Sequence, residues 1–350
     1  MIPHSSPDLG ESEVAAAALC LRSQQVKGGP RLRELENRLA GDLGYAGAVA
    51  TTSCTQAIHL TLRARFDGAP VSVGLPSYVC REVYDAVCLA GGHPQLLDID
   101  PHHLSIDHQT PRLSELKAII VPHMFGIRAP IEKFLAAGLF VIEDCAQRLA
   151  PLPVARQEPK PPVRVLSFEA TKLLTCGEGG LLLSDDPALL EKARKLRDGP
   201  YELREPAVGT PLTDLQAAVL LVQWQRLPEL LARRRQLVEY YLATLTKDFP
   251  EAIVPAMRAA GTYHFRFLLR VENPEAFLAA TAKAGVTSRR PVAPHPLHRL
   301  FCIPGRFPVT DDVWSRMVSI PLYPRLSDAD AGRVAQATAQ ALASTTAQSA

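Results

Sequence analysis

The chain has 350 residues and a mass of 38.1 kDa, a length that suits one large domain plus a smaller one. Thirty-eight basic and 36 acidic side chains leave a formal charge of +2 with no long basic run, which points away from nucleic acid or an anionic membrane as the main partner. No apolar run approaches the ~20 residues of a membrane span, and seven cysteines without a C-x-x-C pair suit a reducing, cytoplasmic compartment better than a disulfide framework or a metal site.

At the N-terminus the apolar stretch Val14 to Leu21 follows Glu11 and Glu13 rather than a basic region, which is wrong for a secretion signal. Ser53, Cys54 and Thr55 precede a helical pattern from Gln56 to Leu62, and the N–H groups and dipole of a helix start make a natural phosphate site. Short apolar runs then alternate with longer helical patterns: Val71–Val73, Pro94–Ile99, Ala118–Pro122, Leu139–Ile142, Val163–Phe168 and Leu181–Ser184. Such runs suit strands buried on both faces, so the spacing predicts a largely parallel α/β sheet whose final pair is antiparallel.

Asp144 follows one of these runs, at the carboxyl end of a strand, where open α/β sheets hold their ligands. Glu143 before it faces the opposite way, because strand side chains alternate. Lys172 lies in the run Ser167-Phe168-Glu169-Ala170-Thr171-Lys172, followed by Gly177-Glu178-Gly179-Gly180. A lysine on a glycine-bounded turn can form a Schiff base with an aldehyde cofactor, and a carboxylate at a strand end can keep a pyridinium protonated. Taken singly, the lysine also reads as a solvated surface charge and the aspartate as a helix cap.

Thr213 and Gln216 form a capping box, and Leu215, Ala218, Val219 and Val222 continue at helical spacing. Pro228 marks a kink or a restart before a second helical pattern from Glu229 to Leu245. The boundary between the two domains is drawn there, 1–245 and 246–350. Beyond it, Tyr263–Val271 reads as a strand and Ala276–Gly285 and Ala329–Ala343 as helices, so a small α+β domain is expected, with Ser344–Ala350 frayed.

The lysine and aspartate segments resemble the cofactor-binding signatures of the DegT/StrS sugar aminotransferases, a fold-type-I family that uses pyridoxal phosphate (PLP). Gly44–Thr55, Pro76–Cys80, Leu97–Pro101, Thr213–Ala218 and Ser319–Pro324 follow the family order as well. The resemblance implies a large mixed, mostly parallel sheet domain and a small C-terminal domain, assembled as a homodimer. It implies that Lys172 carries the cofactor, that Asp144 pairs with the pyridine nitrogen, and that Gln147 contacts the ring or its phenolic oxygen. Ser53, Cys54, Thr55 and Ser167 then hold the phosphate, and Cys80 stands where most relatives stack an aromatic ring. Arg289, Arg290 and His298 fall in a segment that approaches the substrate; surface solvation is the plain alternative for each.

The implied reaction moves an amino group from glutamate or glutamine to a keto sugar, commonly nucleotide-linked, as in polysaccharide biosynthesis. An aminotransferase for a cyclitol or other non-nucleotide ketone, and a PLP-binding regulatory relative without activity, are the alternatives. Four departures mark this chain: Cys54 for a glycine, Cys80 for an aromatic residue, Glu169 for a histidine, and Gly209-Thr210-Pro211 where relatives carry Asn-Tyr-Arg. No asparagine occurs between residues 38 and 272.

Overall fold

The computed structural model describes residues 1–149, 157–199, 206–209 and 211–346. Seven strands build the main sheet: β1 (Gly47–Thr51), β2 (Ser72–Pro76), β3 (His93–Leu97), β4 (Ala118–Pro122), β5 (Phe140–Asp144), β6 (Val163–Ser167) and β7 (Gly180–Ser184), in the order β1-β7-β6-β5-β4-β2-β3. The run from β6 to β3 is parallel, and β7 is antiparallel to both its neighbours, β6 and β1. Five of the six apolar runs match strands within two residues at each end, and every residue of β4 and β7 is buried, as a sheet covered on both faces requires. The first run is the exception, its strand extending three residues further to Pro76.

Helices cover the sheet: α1 (Glu11–Ser23), α2 (Pro30–Leu43), α3 (Cys54–Phe66), α4 (Arg81–Leu89), α5 (Ile131–Ala136), α6 (Pro187–Asp198) and the long α7 (Asp214–Leu245). Thr213 caps α7 as expected, its hydroxyl accepting from the Gln216 N–H at 3.2 Å while Gln216 accepts from the Thr213 N–H. The structure corrects the reading at Pro228: one helix of 32 residues passes through it without a restart. Buried contacts on both flanks, Trp224, Leu227, Leu230 and Leu237 among them, hold the helix where proline removes one hydrogen bond.

The C-terminal part holds β8 (Phe267–Arg270) and β9 (Met317–Ile320), an antiparallel pair, with α8 (Pro274–Lys283), α9 (Leu297–Leu300), α10 (Pro308–Arg316) and α11 (Asp328–Thr346). The expected strand at 263–271 is thus shorter, and α11 runs through Ser344 to Thr346 where fraying was expected; residues 347–350 lie outside the described residues. The N-terminus joins this part, because Ile2 bonds Gly285 and Thr287 through its backbone. Among the described residues no helix is long and apolar enough to cross a membrane.

The sheet edge that carries the strand ends has one tight contact. Gly180, first residue of β7, pairs with Thr51 on one side and Ser167 on the other. A Cβ there would meet the Ser53 carbonyl carbon and oxygen at 2.3 Å and the Cys54 nitrogen at 2.6 Å, all backbone atoms that cannot swing away. Gly180→Ala is therefore expected to destabilise the protein by about 1–3 kcal/mol, the usual range for overpacking, as a lowered midpoint in denaturant unfolding.

Candidate active site

Five segments converge where β1, β2, β5 and β6 end and β7 begins. They enclose a cavity of about 400 Å³ lined by Ser53, Cys54 and Thr55, by Cys80 and Glu82, by Asp144, and by Ser167, Glu169, Lys172 and Glu178, with Ile58, Val83 and Ala146 between them. That volume lies in the ordinary range for a small-molecule site, about 300–1,000 Å³.

The β1–α3 turn supplies the first wall. Ser53 caps α3, its hydroxyl accepting from the Gln56 N–H at 3.1 Å, and the next intrahelical donor is Ala57. The N–H groups of Cys54 and Thr55 are left with no acceptor among the described residues, at the positive end of a 13-residue helix.

Lys172 is carried by the loop between β6 and β7. That loop is closed by backbone bonds from the Phe168 N–H to Gly179 (2.8 Å) and from the Cys176 N–H to Phe168 (3.2 Å), and the Thr175 hydroxyl donates to the Phe168 carbonyl at 3.1 Å. Gly177 turns the chain at φ +89°, a left-handed conformation that favours glycine. The Lys172 ammonium sits 5.4 Å from the centre of the Phe265 ring, and its charge acts on Asp144, Cys54 and Cys80 across the cavity.

Asp144 is 5% exposed. One carboxylate oxygen accepts from the Ala146 N–H at 2.9 Å; the other has no partner among the described residues. Burial pushes its carboxyl up, against the opposing pull of that N–H bond and of Lys172. Glu143 shows the contrast that strand alternation creates. It faces away from the cavity, bonded to His123 Nε2 at 2.8 Å and to Arg164, and although burial would raise it, these partners hold it down at about 2. His123 Nδ1 accepts the Ala129 N–H, so the ring proton lies on Nε2 facing Glu143. Cys145 lies beside them, but the histidine and carboxylate atoms of this trio are already engaged within the protein.

Seven of the eight sequence-expected cofactor residues line this one cavity. Gln147 is not among the lining residues; its carboxamide oxygen accepts the Phe125 N–H at 2.8 Å and supports the left-handed turn there. Nor are Arg289, Arg290 and His298. Arg290 is held by Glu275 and the Trp314 carbonyl, while Arg289 pairs through its backbone with Ser319. His298 bonds the Ser77 hydroxyl at 2.7 Å and Asp311 at 3.2 Å and stacks on Phe307. Their sequence segment was recognisable, but side-chain direction was not. Conversely Glu82 and Glu178 line the cavity unforeseen, although one follows Cys80 by two residues and the other lies inside the glycine motif. Gly209 and Pro211 line a separate cavity of about 590 Å³ with Lys27, Arg33 and Arg194, and Thr210 lies outside the described residues.

The model of one protein family, described as the DegT/DnrJ/EryC1/StrS aminotransferase family, matches residues 7–339. The chain belongs to that family. Its members are PLP-dependent aminotransferases, and the fold agrees. The aminotransferase TlmJ from Streptoalloteichus hindustanus is 26% identical with a TM-score of 0.89, over 99% of this chain and 100% of that one. A DegT DnrJ EryC1 StrS aminotransferase from Brucella abortus is 25% identical with a TM-score of 0.84, over 95% of both chains. The putative sugar aminotransferase Spr1654 from Streptococcus pneumoniae, in its PMP form, is 22% identical and shares the fold, with a TM-score of 0.89 over 99% of both chains.

The cavity of this aminotransferase fits PLP. The unpartnered oxygen of buried Asp144 matches a protonated ring nitrogen, the free N–H groups of α3 and the Ser167 hydroxyl match phosphate oxygens, and Lys172 faces the space between. No aromatic side chain lines the cavity among the described residues. Tyr78 meets Phe125 edge-on and Tyr84 stacks on Phe301 at 4.3 Å, so neither covers a ring there. Cys80, an exposed residue, stands at the cavity instead. Cys80→Phe is expected to tighten PLP retention about 2- to 10-fold, the size of one aromatic stacking contact, read as the Kd from cofactor titration; an unchanged Kd with the fold intact places Cys80 off the ring.

Proposed function

We propose that this aminotransferase moves an amino group from glutamate or glutamine to a keto sugar, using Lys172 as its reactive amine. The observation that carries the reading is the joint placement of Lys172 and the half-satisfied Asp144 on one cavity whose floor is a helix N-terminus. PLP, when bound, supplies an aldehyde carbon and an electron-accepting ring. Lys172 would hold the cofactor through its amine and would then serve as the base that moves a proton during transfer. Asp144 would keep the ring nitrogen protonated, and its burial would strengthen that pairing. The N–H groups of Cys54 and Thr55, with the Ser53 and Ser167 hydroxyls, would anchor its phosphate.

Glu82, Glu169 and Glu178 put three carboxylates on the cavity wall, and no arginine lines it among the described residues. A diphosphate is disfavoured in such surroundings, which supports a cyclitol or other non-nucleotide ketone as the second acceptor reading. Borohydride reduction of the PLP-loaded protein followed by peptide mass spectrometry is expected to put the cofactor on Lys172; a label on another lysine sinks the assignment. Asp144→Asn should keep the fold and slow the glutamate half-reaction by orders of magnitude, and assays with a nucleotide-linked keto sugar and a keto cyclitol separate the two acceptors.

The reading includes a homodimer in the cytoplasm. Gly209 and Pro211 line a cavity that shares no residue with the Lys172 site, in keeping with a segment that serves another subunit, and all seven thiols are free. Sedimentation at micromolar concentration is expected to give about twice the chain mass; an active monomer ends the dimer reading.

A further inference from the structure

Glu82, Glu169 and Glu178 stand on the wall of the Lys172 cavity without a counter-ion. None of the three forms an ion pair among the described residues, and of those residues Lys172 is the one cation that lines the space. Arg81, next to Glu82 in the chain, pairs with Asp85 at 3.0 Å and packs on the Phe301 ring. Arg266, a cation that the Glu169 charge reaches, packs 5.1 Å from the centre of the Phe265 ring and does not line the cavity. Glu169 itself is fixed in place. One carboxylate oxygen accepts the Thr171 hydroxyl at 2.6 Å, and its backbone carbonyl accepts the Lys172 N–H at 2.9 Å, so the glutamate and the reactive lysine belong to one turn. The second carboxylate oxygen has no partner among the described residues. This is the position where relatives carry a histidine, so the negative charge beside the lysine belongs to this chain.

Partial burial and the Glu169 charge push the Glu178 carboxyl up, against the pull of Lys172. Two like charges thus share one side of the lysine with no other cation on the cavity wall to answer them. An acidic face open to solvent needs no ligand. This one shares a cavity of about 400 Å³ with Asp144, which is 5% exposed and keeps one oxygen unpartnered, so the space is built to hold a bound group. The cofactor does not neutralise the wall. Its phosphate brings further negative charge, its ring cation is answered by Asp144, and Lys172 is taken up in holding it. A substrate entering beside it meets three carboxylates, which draw in a cation and repel an anion.

We infer that the ketone accepted at Lys172 already carries an ammonium group, as an amino-substituted keto sugar or cyclitol does, and that Glu169 receives this ammonium with Glu82 and Glu178 as supporting charge. The inference rests on the aminotransferase reading and narrows its acceptor. An ammonium offers three donors and an ionised carboxylate only accepts, so the pairing satisfies the open oxygen of Glu169 with a charge-assisted bond. A phosphorylated ring finds no donor fork on this wall among the described residues.

The probes are methyl glucosaminide, methyl glucoside and methyl glucoside 6-phosphate, one ring carrying a positive, no or a negative charge and no carbonyl that could react. Each is titrated by calorimetry into protein loaded with pyridoxamine phosphate, whose amine leaves the amino probe unmodified. Wild type should bind the glucosaminide about 10- to 100-fold more tightly than the glucoside, the product of two or three partly exposed ion pairs, and the phosphate most weakly. Glu169→Gln, which keeps an acceptor for Thr171, should lose the largest part of that preference, and the triple Gln variant at 82, 169 and 178 should bind glucosaminide and glucoside alike. No glucosaminide binding by wild type, equal binding of the first two probes, tightest binding of the phosphate, or a preference that survives the triple substitution overturns the inference. If the preference depends on the glutamates but no amino group moves from any donor, the ammonium site stands and the aminotransferase reading fails. If a nucleotide-linked keto sugar is aminated with a kcat/KM at least equal to that of an amino-substituted ketone, the reading stands and the inference falls.

Discussion

The contact of Gly180 with the Ser53–Cys54 peptide sets the distance on which the rest of the cavity depends. Because Gly180 has no side chain, β7 begins directly against the turn that starts α3, and it also pairs with Ser167 at the end of β6. One residue therefore fixes the helix N-terminus, the end of β6 and the origin of the Lys172 loop relative to each other. A loop alone would leave the lysine to wander; antiparallel pairing of β6 and β7 clamps both of its ends.

Two adjacent carboxylates show how one strand gives opposite environments to chemically similar groups. Glu143 turns to a face where His123 and Arg164 satisfy both its oxygens, and it is held strongly ionised. Asp144 turns to the cavity, keeps one oxygen unpartnered, and is pushed toward its neutral form by burial. The first arrangement is complete within the fold. The second is complete only when something cationic enters, and that asymmetry is what separates a structural acid from a site acid here.

Buried arginines divide along the same line. Arg197 and Arg164 each meet a glutamate, and Arg148 meets Glu158. Arg234, also buried, is held by the carbonyls of Phe265 and Leu322 and ties α7 to the segment that carries Arg266. Its position beside the C-terminal strands means that the long helix, which passes Pro228 unbroken, supports both the core and the approach to Lys172 from behind.

Much of this was legible in the sequence where the signal is local. Buried strands read as unbroken apolar runs, the Thr213 box announced its helix, and motif order brought Lys172, Asp144, Ser53, Cys54, Thr55, Cys80 and Ser167 to one cavity. β1, with Gly47, two alanines and little intrinsic strand preference, was missed because it exists by pairing with the distant β7, in a register that runs from Gly47 opposite Ser184 to Thr51 opposite Gly180. β9 was missed for the same reason. Nor could sequence tell that Asp214 caps α2 by accepting from Gly29, Arg31 and Leu32, or that Arg290 turns to Glu275. Residue type and spacing determine which chemistry a chain can present; which way a side chain points, and whether its charge is already answered, depends on partners that only the folded chain brings within hydrogen-bond reach.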